Sequence, residues 1–171
     1  MTDSPRPQGD PEGEFPLDVA TYVFHLFAVL SKHRENRLDE LLKPVGLSLT
    51  RHRALSVINR LEPCSMSELS DFTAIDRTTL TRTVDQLVEA GLVVRTTPKE
   101  DRRQVLLTLT PVGRRTCVKS LNTIHDLNCE VLDGMADTDQ RAVGRAFEHV
   151  LGKLVDDPAL LRRLTLREAR D

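Results

Sequence analysis

The run from Ser65 to Leu109 constrains this chain more than any other feature, because two helix signals surround a tight turn and a change of period follows them. Ser65-Met66-Ser67-Glu68 has the form of a capping box, in which the serine hydroxyl and the glutamate carboxylate satisfy each other's free backbone amides. It opens a helix predicted over about Met66 to Phe72. Ala74-Ile75-Asp76 reads as the turn, Asp76 as the N-cap of a helix from about Arg77 to Ala90, and Gly91 as its left-handed end. Two short helices joined in this way form a helix-turn-helix. After Gly91 the apolar pattern becomes extended, over Leu92 to Thr96 and again over Gln104 to Leu109. The charged stretch Thr97-Pro98-Lys99-Glu100-Asp101-Arg102-Arg103 between them reads as a solvated hairpin tip, a wing.

The flanking segments are helical in pattern. Leu17 to Leu42 carries Val23, Leu26, Leu30, Leu38 and Leu41 at helical spacings and ends before Lys43-Pro44 and Gly46, which predicts a long first helix. A second helix over about Thr50 to Leu61 has Ser48 or Thr50 to cap it, Leu55, Ile58 and Leu61 as its inner stripe, and Pro63 as its stop. Thr110-Pro111 supplies a cap followed by proline at the first helical position, opening a long helix to about Leu132 that Gly134 closes. Asp137-Thr138-Asp139-Gln140 reads as another capping arrangement, for a helix with Val143, Phe147, Val150, Leu151 and Leu154 as apolar members. After Asp157-Pro158, Ala159 to Ala169 suits a short tail helix, whereas residues 1–16, rich in proline and acids, read as a flexible arm.

Composition excludes several classes. A chain of 171 residues, 39% hydrophobic and 29% charged, can bury a core without metal or disulfide staples. No apolar run approaches the roughly 18 residues of a membrane span, and the start Met1-Thr2-Asp3-Ser4-Pro5 is unlike a signal peptide, so a cytoplasmic protein with no membrane partner is expected. Cys64, Cys117 and Cys129 form no metal or disulfide pattern and read as buried or idle thiols. No G-x-S-x-G, P-loop, HExxH or dinucleotide fingerprint occurs, and His25, His33, His52, His125 and His149 show no arrangement that would orient a nucleophile or metal. Neither an enzyme nor a cofactor is expected.

A net charge of -2 gives no global signal for nucleic acid, so the local distribution decides. On the helix after Asp76, a buried stripe of Leu80, Val84, Leu87 and Val88 would leave Arg77, Thr78, Thr79, Thr81 and Arg82 exposed on the N-terminal half. Arginine can hold a guanine edge with two hydrogen bonds, and threonine can meet a base, a thymine methyl or a phosphate. An isolated stretch of this kind reads first as a solvated helix face. The adjoining Lys99, Arg102 and Arg103 favour the DNA reading, since arginine can enter a narrow, negative minor groove.

The order of long helix, short helix, helix-turn-helix, wing and two further helices resembles the MarR family of bacterial regulators over about Leu17 to Leu154. The most specific part is Asp76 to Val93, followed by Asp101-Arg102-Arg103 and Leu107-Thr108-Leu109-Thr110, which is similar to the family's recognition helix, Asp-x-Arg wing and entry into the next helix. The resemblance implies a homodimer on a palindromic double-stranded DNA operator, with Asp101 holding Arg103 by a carboxylate to guanidinium contact. It also implies a small-molecule effector near the second helix. Leu26, Leu30, His33, Arg37 and Leu41 fall on nearly one face, and His33, Arg37 and His52 together would suit an anion. The alternative is that their stems pack while their heads reach water. A thiol-based redox regulator of the same fold is the second functional reading, although Val19 to Phe24, where peroxide-sensing relatives carry a cysteine, has none.

The expected fold class is mainly α with a small β-wing, a winged helix-turn-helix joined to a helical dimerisation layer. Its parts are the arm 1–16, a dimerisation and ligand-pocket layer 17–48, the DNA-binding unit 49–110, C-terminal dimerisation helices 111–155 and a tail 156–171.

Overall fold

The computed structural model describes residues 18–73, 75–98 and 104–165. Helix α1 (Val19–Leu42) starts at Asp18, whose carboxylate accepts from the Thr21 amide, and runs into a short 3₁₀ turn, Lys43–Val45. Gly46 reverses the chain at φ 77°, a left-handed conformation that glycine adopts without a side-chain clash. Helix α2 (Leu49–Leu61) is capped twice, the Ser48 hydroxyl accepting from the Arg51 amide and the Asp39 carboxylate of α1 from the Leu49 amide at 2.8 Å. Of the two caps open in the sequence, Ser48 is the one used.

Strand β1 (Cys64–Ser65) leads directly into α3 (Met66–Thr73) through the expected capping box. The Ser65 amide and hydroxyl both donate to Glu68, and the Glu68 amide donates back to the Ser65 hydroxyl. Helix α4 (Arg77–Glu89), β2 (Val93–Thr96) and β3 (Leu106–Leu109) complete the winged unit. The sheet has the order β1-β3-β2 and is antiparallel throughout, with Val93 opposite Leu109 and Thr96 opposite Leu106. Only two strands were expected. The third is a two-residue segment opposite Leu106 and Leu107, too short to carry a period of its own.

Helix α5 (Pro111–Leu132) opens as expected, with the Thr110 hydroxyl accepting from the Gly113 amide and Pro111 in the first turn. Helix α6 (Asp137–Leu154) departs from the expected start, because its N-cap is Ala136 and Asp137 is the first helical residue. Asp137 and Asp139 still favour this end, as first-turn carboxylates beside the positive pole of the helix dipole. Helix α7 (Pro158–Leu164) begins on an Asp157 cap, and the rest of the expected tail helix lies outside the described residues.

The core is built around α2, which packs against α1, α3, α4 and α5. Ala54, Leu55 and Ile58 of α2 are completely buried together with Leu42, Leu69, Leu80, Val84, Leu87, Leu107 and Cys117. In this way α2 joins the α3–α4 pair to the long helices α1 and α5. By contrast, the first half of α1 is apolar and exposed: Tyr22, Val23, Phe24, Leu26, Phe27 and Leu30 all face outward, and α6 buries no residue at all. Phe27 meets Phe147 of α6 edge to face, with ring centroids 5.6 Å apart.

Candidate nucleic-acid interface

Asp76 sets the start of α4. Its carboxylate accepts from the Thr79 hydroxyl and from the Thr79 amide at 2.9 Å, and these bonds hold its pKa below the usual carboxylate range. Leu80, Val84 and Leu87, fully buried, then press one side of the helix onto the core, with Val88 half-buried at the margin. The opposite side is left to solvent. Arg77, Thr78, Thr79, Thr81 and Arg82 are all exposed, and Arg77, Thr78, Thr81 and Arg82 line one shallow depression of about 380 Å³. Among the described residues no ion pair engages Arg77 or Arg82.

The threonines are not equivalent. The Thr81 hydroxyl donates to the Arg77 carbonyl at 2.9 Å, so its remaining offer is a methyl group and an acceptor oxygen. Thr79 shares its hydroxyl with the cap, whereas Thr83 is buried and donates to the Thr79 carbonyl. The wing stem is formed by β2 and β3; Lys99, Asp101, Arg102 and Arg103 lie outside the described residues. One stem residue that sequence reasoning passed over is Arg95 of β2, whose guanidinium donates to Asp85 of α4 at 2.6 Å.

The three residues expected to bind an anion are not brought together within one protomer. His33 and Arg37 are exposed on the outer face of α1, along with Leu26 and Leu30. The inward stripe is instead Arg34, Leu38 and Leu42, each four residues apart, and that spacing was available in the sequence. His52 is buried between α2 and α5, with 5% of its surface exposed. The Ser120 hydroxyl donates to the Cys117 carbonyl, so its oxygen accepts from His52 Nδ1–H at 2.9 Å and leaves Nε2 as an acceptor. Burial first, then the charges of Arg53 and Arg34, push the His52 pKa down to about 4. The ring is neutral at physiological pH. Arg34 reaches across to the Asn128 side chain of α5 at 2.9 Å, a contact no local pattern announced.

The model of the MarR family matches residues 45–104, the span from the 3₁₀ turn after α1 to the stretch before β3. Likeness to solved structures extends further. The transcriptional regulator PA3341 is 28% identical, with a TM-score of 0.71 over 78% of this chain and 98% of that one. MarR from E. coli is 25% identical in its apo form, with a TM-score of 0.66 over 75% and 96% of the two chains. A variant of it complexed with operator DNA gives 24% identity and a TM-score of 0.69 over 78% and 99%. CouR from Rhodococcus jostii RHA1, bound to p-coumaroyl-CoA, has a TM-score of 0.69 at 22% identity, over 78% and 94%. The stretch 45–104 thus matches the MarR family, and the fold of the described residues, a winged helix-turn-helix flanked by long helices, is similar to that of solved transcriptional regulators including MarR from E. coli.

Proposed function

We propose that the protein is a homodimeric repressor that grips a palindromic operator with α4 and the wing, and releases it when a small ligand binds. The observation that carries this reading is the exposed Arg77, Thr78, Thr79, Thr81 and Arg82 surface, without ion-pair partners among the described residues. Lys99, Arg102 and Arg103 would add the groove and phosphate contacts, with Asp101 orienting Arg103. A relative of the same fold is complexed with operator DNA. One head reads a half-site, so a second copy is needed, and the exposed apolar face of α1 with Leu121, Val131 and Leu132 of α5 suits a symmetric partner.

The expected result for Arg82→Ala is a loss of about 1–3 kcal/mol on the cognate operator with little change on random duplex, since a base contact is removed. Arg103→Ala should instead weaken both and flatten the salt dependence, because fewer counterions are released. Titrations of both duplexes at several salt concentrations distinguish the two. Equal losses on operator and random DNA for Arg82→Ala would refute base reading.

The effector is a small aromatic acid or its thioester, as the ligand of CouR suggests. Its proposed site is the outer face of α1 with His33 and Arg37, which a second copy would have to join to the α2 region that carries His52. A ligand preferring the DNA-incompetent spacing about 100-fold would supply roughly 2.7 kcal/mol per coupled site. A second reading, release by thiol oxidation, rests on Cys129, which is exposed with its Sγ 3.5 Å from His125 Nε2 while Cys64 and Cys117 are buried. One operator-release assay separates them. Release by the acid or thioester, blunted in Arg37→Ala and His52→Ala, supports the pocket; release by peroxide, abolished in Cys129→Ser, supports the thiol.

A further inference from the structure

β2 leaves the core almost at once. Of its four residues only Val93 is buried, and Val94, Arg95 and Thr96 are exposed. From Val94 outward the strand is held by its pairing with β3, in register from Val94 opposite Thr108 to Thr96 opposite Leu106. β3 is itself paired with β1 only at Leu106 and Leu107, so nothing in the sheet ties the outer stem to the recognition helix. The side-chain link that does so among the described residues is the 2.6 Å contact from the Arg95 guanidinium to Asp85.

Asp85 is oddly placed for a DNA-binding helix. It lies four residues after Thr81 and three after Arg82, and so shares their side of α4. An isolated carboxylate there would repel phosphates. Exposed ion pairs add little to stability, and this one has side-chain exposures of 36% and 55%. Its value must therefore be sought in geometry and in charge neutralisation rather than in folding energy.

We propose that Arg95 and Asp85 are positioning residues: their ion pair braces the outer half of β2 against α4 and so sets the reach of the wing relative to the recognition helix. The inference rests on the operator-binding reading above and deepens it. Arg95 on this account does not spend its charge on DNA. It spends it on Asp85, which would otherwise face the duplex bare.

The two roles open to Arg95 predict opposite signs for its partner. If Arg95 contacts phosphate, Asp85→Asn removes a repulsive charge and frees the arginine, so operator affinity rises. If the pair is a brace, Asp85→Asn weakens operator binding. For the brace, Arg95→Ala and Asp85→Asn are each expected to lower operator affinity about tenfold, and the double variant to lower it no further, because both break one interaction. The slope of affinity against salt should stay that of the wild type in Asp85→Asn. The exchanged variant, Asp85→Arg with Arg95→Asp, should recover most of the loss.

A measurement on the free protein keeps this separate from the DNA reading. Hydrogen exchange of the peptide covering residues 93–98 should speed up in both single variants and return in the exchanged one, with thermal melting unchanged. Faster exchange without any operator binding by the wild type would retain the brace and sink the operator reading. Tighter operator binding by Asp85→Asn, additive losses in the double variant, or wild-type exchange in both single variants would overturn the brace.

Discussion

Replacing Gly113 by alanine is expected to destabilise the protein by about 3 kcal/mol, the upper part of the usual range for forcing an atom into a packed site. An added Cβ would fall 1.9 Å from the Leu92 carbonyl oxygen and 2.8 Å from its carbon. The obstacle is backbone and cannot swing aside. The Leu92 carbonyl accepts from the Thr110 amide at 3.0 Å, and the Leu92 amide donates to the Leu87 carbonyl at 2.9 Å. Moving Leu92 thus disturbs the end of α4, the root of β2 and the cap of α5 together. Helix propensity argues the other way, since alanine is favoured over glycine inside a helix by about 1 kcal/mol. Gly144 of α6, with open space around its Cβ position, is the matched control and should gain about 0.5–1 kcal/mol on the same change. Urea unfolding of both variants at fixed protein concentration checks the pair. Wild-type stability or better in Gly113→Ala would show that α5 does not sit this close to the wing root.

Stability should also fall in mild acid, and His52 should be the cause. The ring has an ordinary pKa of 6.5 when exposed and about 4 in the fold, chiefly because burial penalises the charged form. A histidine with a depressed folded pKa binds its proton more readily in the unfolded chain. Its contribution to stability is therefore complete above pH 6.5 and is lost as the pH falls toward 4. The whole loss is on the order of 2 kcal/mol, allowing for screening at the ring edge that still meets water. His52→Asn is the informative variant. Its side-chain amide can still donate to Ser120 in place of Nδ1–H, yet it does not titrate in this window. The wild type should lose stability relative to the variant between pH 6.5 and 4, although the variant starts lower because it is smaller. Parallel curves through that window would mean that His52 stays solvated.

His52 also illustrates how far the sequence carried. Its place on α2 singled it out beside the effector region that the resemblance implies, but its partners were not legible. Ser120 and Arg34 are 68 and 18 residues away, and nothing in their surroundings announces a buried contact. The expected companions, His33 and Arg37, lie on the outer face of α1, because the helix turns its 34-38-42 stripe to the core and leaves the 26-30-33-37 stripe outside. Both stripes mix leucines with basic residues at helical spacing, so a local reading has no basis for choosing which is inward.

What the sequence by itself determined is the set of features whose physics is local. The capping box at Ser65 and Glu68, the Asp76 cap, the left-handed Gly91 and the Thr110-Pro111 start each depend on groups within a few residues, and each is found where it was read. The exposed set on α4 follows from the same logic, because burying Leu80, Val84 and Leu87 leaves only the opposite side for Arg77, Thr78, Thr79, Thr81 and Arg82. Only the tertiary structure decided the rest: the third strand at Cys64, the clearance at Gly113, the Arg95 to Asp85 link and the orientation of α1. Each depends on two segments meeting across ten to several tens of residues, and the energy that selects such a meeting is shared by the whole core rather than written in either segment.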